Sequence, residues 1–233
     1  MYYAINELLL KDQDIKNIKL PKNTIIFKNL NDVPKSETFF FSTIKDCQYL
    51  KSTYFGITSF YNLPISSYFA FIQNYFLNAD SYFKLSCQLD NTDINKFCRS
   101  DSGNKIWSGQ IIKDEIDLNF VKQENQLDTM MFLSNNKNIS QEVRCWMING
   151  KCIEISKYIT WNKEQQNYIF DNNEYIKFAE FIASIYEPDE LYTIDLGVYN
   201  NKIYIIEYNC FSTSGFYNAN IEKIINNLEL FYN

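Results

Sequence analysis

Apolar residues fall in short runs separated by lysine- and asparagine-rich stretches, and the spacing inside each run predicts its element. NTIIF (23–27) and ETFFFS (37–42) read as strands. ISSYFAFIQNYFL (65–77) sets Tyr68, Phe69, Ile72, Tyr75 and Phe76 at helical spacing, a stripe that belongs in a core. KFCRS (96–100) and WSGQII (107–112) read as strands flanking the turn DSGNK. DTMMFLS (128–134) is a buried strand, and NNKN after it a loop.

Two hairpins follow. In VRCWMI-NG-KCIEIS, Asn149-Gly150 separates alternating runs, the strongest short-range hairpin signal. A two-residue turn there pairs Trp146 with Ile153, Arg144 with Ile155 and Glu142 with Lys157, which places Glu142, Arg144, Lys157 and Trp146 on one face. LYTIDLGV-YNN-KIYIIEYN is the second hairpin. Matching apolar to apolar pairs Val198 with Tyr204, Leu196 with Ile206 and Ile194 with Tyr208. The same register sets Asp195 opposite Glu207 and Thr193 opposite Asn209. Between the hairpins NEYIKFAEFIASIYE (173–187) reads as a helix ended by Pro188, and ANIEKIINNLELFY (219–232) as a last helix. The order of elements is α+β with mainly antiparallel pairing.

Composition narrows the function classes. A chain of 233 residues forms one large domain or two compact lobes, and 19 Phe with 18 Tyr make its core bulky. Net charge is -6 and no basic stripe is visible, which argues against nucleic acid as the main ligand. There is no histidine, so a histidine-based triad is excluded. The six cysteines are scattered without a C-x-x-C pair, as expected of reduced, mostly buried thiols. The apolar run in MYYAINELLLKDQD is too short for a signal peptide or a membrane helix. A cytoplasmic protein with no membrane partner is expected.

Candidate chemistry gathers at few places. Of 22 basic residues only Arg99 and Arg144 are arginines. Lysine serves for a surface charge, whereas a guanidinium offers a planar fork that binds phosphate oxygens bidentately. A surface ion-pair cluster is the plain alternative for Arg144. Arg99 precedes Ser100, Asp101, Ser102, Gly103, Asn104 and Lys105, a small-residue turn with a cation at each side that can wrap phosphates. A plain β-turn is the default, and the segment is no Walker A loop. Asp195 and Glu207 facing each other would repel unless a positive charge lies between them. With Asn209 they make an oxygen set suited to Mg²⁺, although a solvated face with incidental acids has the same spacing.

Taken together the pieces resemble the ATP-grasp fold, and more narrowly a small bacterial and phage ATP-grasp clade related to RimK-like ligases. That clade carries F-I-R-P, a flexible turn and K-x-F-x-G, matched by Phe97-Cys98-Arg99-Ser100 and Lys105-Ile106-Trp107-Ser108-Gly109. A short strand ending near a serine matches Phe132-Leu133-Ser134, and E-x-R-x-W/F matches Glu142, Arg144 and Trp146. D-x-G, E-x-N and S-G-x-Y match Asp195-Leu196-Gly197, Glu207-Tyr208-Asn209 and Ser214-Gly215-Phe216-Tyr217. The upstream L-L-N-x-D is present as FLNAD, Phe76 to Asp80. No single motif is specific; together, in this order, they are. Ser100 replaces the proline the clade prefers, and the first 50 or so residues match least well.

The resemblance implies two α+β lobes with mainly antiparallel sheets gripping the nucleotide, after a small N-terminal α/β subdomain. It implies boundaries of 1–88 for that subdomain and 89–233 for the ATP-grasp domain, with lobes of about 89–135 and 136–233. ATP and Mg²⁺ are the implied cofactors. Arg99 and Lys105 would hold ATP phosphates, and Asp195, Glu207 and Asn209 would hold the metal. Arg144 would stabilise the transferring phosphoryl group. Phe132, Leu133 and Ser134 would lie at the adenine edge. Glu142 and Lys157 would be polar partners of nucleotide or acceptor, with Ser214 and Gly215 lining the acceptor end. The implied activity is carboxylate–amine ligation through an acyl phosphate, the partners being a small-molecule, peptide or protein carboxylate and an amine. A silent nucleotide-binding module and a phosphotransferase are the alternatives. Asp195→Asn is expected to abolish turnover and leave the fold intact.

Overall fold

The computed structural model describes residues 1–11, 18–34, 37–53, 56–104, 107, 109–157 and 171–233. The chain divides into two compact units, one of residues 1–61 with 140–233 and one of residues 62–139. No helix among the described residues is long and apolar enough to cross a membrane.

The first unit begins with a parallel sheet of β1 (Tyr2–Asn6), β2 (Thr24–Phe27) and β3 (Thr38–Phe41) in the order β2-β1-β3. Parallel strands covered on both faces read as unbroken apolar runs, and β3 obeys that rule. Phe39 and Phe41 enter one cluster with Trp146, Phe211 and Phe216, while Phe40 enters another with Ala4, Phe27 and Leu50. Leu50 belongs to α1 (Ile44–Thr53).

The same unit holds an antiparallel sheet of β8 (Gln141–Ile148), β9 (Lys151–Lys157), β10 (Leu191–Tyr199) and β11 (Lys202–Cys210), ordered β11-β10-β8-β9. Its two helices are α4 (Asn172–Ala183) and α5 (Ile221–Tyr232). The α5 residues Ile221, Ile224, Ile225 and Leu228 pack with Trp146, Ile148 and Leu191. On the other face of β8, Gln141 accepts a bond from Tyr175 of α4 at 2.7 Å. β8 is thus buried on both sides and keeps six consecutive buried residues, Val143 to Ile148.

The second unit is an antiparallel sheet of β4 (Tyr82–Leu85), β5 (Lys96–Ser100), β6 (Gln110–Ile111) and β7 (Met130–Asn135), ordered β4-β7-β5-β6, with α2 (Ile65–Ile72) and α3 (Glu115–Glu124). Leu118 and Val121 of α3 cover Cys98, Met131 and Leu133. Phe69 and Phe76 meet Phe83 and Phe132 edge-on, with centroids 5.6 to 6.1 Å apart.

Several expectations change. The compact units are not cut near residue 88, because β4 pairs with β7 along Tyr82 to Leu85 and ties 62–88 to the sheet that follows. α2 ends at Ile72 and tightens to a 3-10 turn over Gln73–Tyr75. β6 covers only Gln110–Ile111.

Both hairpin registers slip by one residue away from their turns. Near its turn the first hairpin pairs Met147 with Cys152, as expected, but a bulge then pairs Trp146 with Glu154, Arg144 with Ser156 and Val143 with Lys157. Lys157 therefore stands on the opposite face from Arg144 and Trp146. In the second hairpin the loop is two residues, Asn200 and Asn201, with φ of 50° and 55°, and Tyr199 pairs with Lys202. Two such left-handed residues match strand twist and set the register at the turn. A bulge then shifts the pairing from Leu196–Ile205 to Asp195–Glu207. The expected Leu196–Ile206 and Val198–Tyr204 pairs are absent, whereas Asp195–Glu207 and Thr193–Asn209 form.

Candidate functional site

In the first unit β8 and β10 place Arg144 directly opposite Asp195, and β11 places Glu207 on the other side of Asp195. Four strands therefore carry one cross-strand row, Glu207–Asp195–Arg144–Ser156. The next row is Asn209–Thr193–Trp146–Glu154 on the same face. Arg144 donates from Nε to Asp195 Oδ1 and from Nη2 to Oδ2, each at 2.8 Å. Both side chains are sealed from solvent, 4% and 2% exposed. Asn209 Nδ2 donates to Asp195 Oδ2 at 2.9 Å and to Glu207 Oε1 at 3.1 Å. The charge needed between the opposed acids is thus supplied from within the sheet.

The segment after β11 closes the far side of the guanidinium. Arg144 Nη1 donates to the Gly215 carbonyl at 3.2 Å, and the Tyr217 ring lies 5.1 Å from Cζ. Tyr217 holds φ of 47°, a left-handed conformation. Ser214 Oγ lies 2.8 Å from Thr193 Oγ1 and donates to the Cys210 carbonyl at 2.9 Å. Trp146 stacks on Phe216 at 5.1 Å and anchors this segment in the core. The contact of Tyr217 with Arg144 is invisible to spacing arguments; the aromatic after a small-residue pair was its one signal.

Two expectations need correction here. Glu142 faces Gly197, half-buried, on the face of Arg144, but Lys157 is exposed on the other face and does not join them. Asp195→Asn cannot leave the fold untouched either. It would strand the Arg144 charge in a buried site, and breaking a buried pair is strongly destabilising.

A fit test for magnesium rests on donor chemistry. Asp195, Glu207 and Asn209 offer two carboxylates and an amide in one patch, hard oxygen donors of the kind Mg²⁺ takes. Among the described residues no group of three or more His, Cys, Asp or Glu could hold a metal, so the amide must complete the set.

In the second unit Arg99, half-buried on β5, pairs with Phe132, and Phe97 pairs with Ser134. Phe132, Leu133 and Ser134 are all buried, and the Ser134 hydroxyl has no hydrogen-bond partner. Gly109 lies so close that an added Cβ would sit 2.4 Å from the Phe97 ring and 3.2 Å from Arg99 Cβ, so no larger residue fits without displacement. Lys105 lies outside the described residues. The turn before it spends its own polar groups: Gly103 N donates to Asn62 Oδ1 at 2.9 Å, and Asp101 accepts from Ser66 N at 3.1 Å. Asn78 and Asp80 of the FLNAD segment both accept from Lys137, and Asp80 also accepts from Asn135 N at 3.1 Å. That segment therefore fastens the chain just after β7.

The two antiparallel sheets, the helices and the acid row define a protein of the ATP-grasp class. The family model that matches residues 70–228 describes an ATP-grasp domain, the third family of its clade, and the chain belongs to that family. A RimK domain ATP-grasp protein from Sphaerobacter thermophilus superposes with a TM-score of 0.55 at 8% identity, covering 98% of this chain and 95% of that one. D-alanine–D-alanine ligase from Bacillus anthracis, complexed with ATP, superposes with a TM-score of 0.50 at 13% identity, covering 91% of this chain and 86% of that one. Both are likenesses of fold. No curated protein matches the chain.

Proposed function

We propose that the chain is an ATP- and Mg²⁺-dependent ligase joining a carboxylate to an amine or similar nucleophile. The observation that carries this reading is the buried row of Arg144, Asp195, Asn209 and Glu207. Burying charges is costly and weak evidence of stability, so a guanidinium, two acids and an amide on one sheet face call for a chemical role.

In the proposed reaction an acceptor carboxylate oxygen attacks the γ-phosphorus of ATP, and the bond to the bridging oxygen breaks to release ADP. The nucleophile then attacks the acyl carbon of the acyl phosphate, and phosphate leaves with the bonding electrons while the nucleophile loses a proton. Arg99 and Lys105 bind phosphate oxygens. Ser134, with Phe132 and Leu133, reads the adenine, whose nitrogen atoms would satisfy the orphaned hydroxyl. Arg144 balances charge on the transferring phosphoryl group. Asp195, Glu207 and Asn209 hold Mg²⁺, which when bound supplies positive charge to the phosphate oxygens. Glu142 is a polar partner of nucleotide or acceptor, and Ser214 and Gly215 line the acceptor side. Lys157 is left outside this set. The protein works in the cytoplasm, where its free thiols stay reduced. A metabolite, peptide or protein supplies the carboxylate.

Thermal melts with and without ATP and Mg²⁺, followed by ADP release with added carboxylic acids, test the reading. Ligand at about 100 times its dissociation constant adds about 2.7 kcal/mol. A melting shift with acid-dependent ADP release supports a ligase. A shift without it leaves a nucleotide-binding module. ADP release that follows added hydroxyl or phosphate compounds marks a phosphotransferase.

A further inference from the structure

Arg144 holds a charge balance that a divalent cation would upset. Both oxygens of Asp195 already accept bonds from its fork, and Asn209 turns its donor end towards both acids. Magnesium needs oxygen lone pairs at about 2.0–2.1 Å. In this arrangement the Asn209 oxygen points away from the row. Asp195 has lone pairs to spare, but an ion there would share one buried carboxylate with a guanidinium. Like charges repel strongly in such a low-dielectric place. The guanidinium is also held from behind, by the Gly215 carbonyl and the Tyr217 ring.

We propose that Arg144 is the resident counter-cation of the acid row and that a divalent cation binds there in competition with it. Entry of the ion turns the Asn209 amide over and loosens the fork from Asp195. The guanidinium then remains beside Gly215 and Tyr217 with donors released for an anion. Metal binding and arming of Arg144 are one event, so the metal-free protein keeps its acids neutralised and its phosphoryl-binding group occupied. This rests on the metal site of the ligase reading. Tyr217 is the positioning residue of the device, because its ring holds the guanidinium in both arrangements.

Two measurements on the full chain test it without reference to turnover. Mn²⁺ is titrated into protein without nucleotide and the free ion is read by electron paramagnetic resonance. Arg144→Met should bind Mn²⁺ roughly tenfold more tightly than wild type, and adding Glu207→Gln should abolish the gain. Equal affinity in wild type and Arg144→Met overturns the competition and leaves the metal site standing. No binding in either overturns both, and a gain that survives Glu207→Gln places the ion elsewhere and also overturns the proposal. Should Arg144→Met fail to fold, wild type suffices for the second measurement. The chain has two arginines, so ¹⁵N-arginine labelling gives two Nε–H signals, which Arg99→Lys assigns. The Arg144 signal should exchange slowly with water in the absence of metal, then shift and exchange faster with saturating Mg²⁺. A signal unchanged while Mg²⁺ displaces bound Mn²⁺ would show that the fork never leaves Asp195.

Discussion

The two arginines stand on strands of two four-stranded antiparallel sheets, β8 and β5, and the sheets treat them differently. Arg144 lies between two packed faces and is bonded to Asp195 and Gly215. Arg99 is half-buried at a strand whose neighbours are Phe132 and the backbone of Gly109. In the first sheet polar groups are bonded to one another across strands. In the second they fasten loops, through Asn62, Asp80 and Asp101, and leave the Ser134 hydroxyl without a partner. Burial turns a charge into a structural obligation, whereas partial exposure leaves it adaptable.

Removing the counter-charge of each arginine's region tests this contrast hardest. Asp195→Asn should destabilise the protein by about 3–5 kcal/mol, since it leaves a buried guanidinium uncompensated. Arg99→Gln should cost about 1 kcal/mol or less while removing the melting shift caused by ATP. Similar urea midpoints for the two variants would erase the contrast. Next in size is Gly109→Ala, which forces a methyl against the Phe97 ring and should cost about 1–3 kcal/mol in urea unfolding. A neutral result would mean that the 109–111 segment yields easily.

Orphaned hydroxyls give a smaller effect of opposite sign. Ser134→Ala and Ser156→Ala remove buried oxygens that have no partner, so each should raise stability without ligand by up to about 1 kcal/mol. Only Ser134→Ala should then lose part of the ATP-induced melting shift. A loss from Ser156→Ala instead would move the nucleotide contact to the first sheet.

The smallest effect is in acid. Burial alone would raise the Asp80 carboxyl, but the Lys137 ammonium and the Asn135 N–H outweigh it and hold it below its ordinary 3.8. A carboxyl depressed in the folded state contributes stability above 3.8 that is lost as pH falls through its lower folded value. Lys137→Met should therefore flatten the decline in melting temperature between about pH 5 and about pH 2. An unchanged slope would detach Asp80 from the loop after β7.

Legibility followed the range of the interactions. Asn149-Gly150 announces its turn locally, and the opposition of Asp195 to Glu207 and of Thr193 to Asn209 was readable from alternation alone. The shared face of Lys157 and Arg144 was not, because a bulge between Trp146 and Met147 moves the strand by one residue. Strand β1, helices α1 and α3 and strand β4 were passed over. α3 has only Leu118 and Val121 buried, too thin a stripe to stand out, and β1 is apolar at nearly every position because both its faces are covered.

By itself the sequence determined the hairpins, the alternation that sets two acids face to face, the α+β class and the ordered motifs of the ATP-grasp family. These rest on turn residues and on period-two patterning, which act over a few neighbours. Only the tertiary structure decided that Arg144 would meet Asp195, 51 residues away, rather than solvent. That pairing follows from β8 and β10 lying side by side, an adjacency no local pattern encodes. It is chosen because burying both faces of β8, with α5 on one and α4 on the other, removes more apolar surface from water than any exposed arrangement.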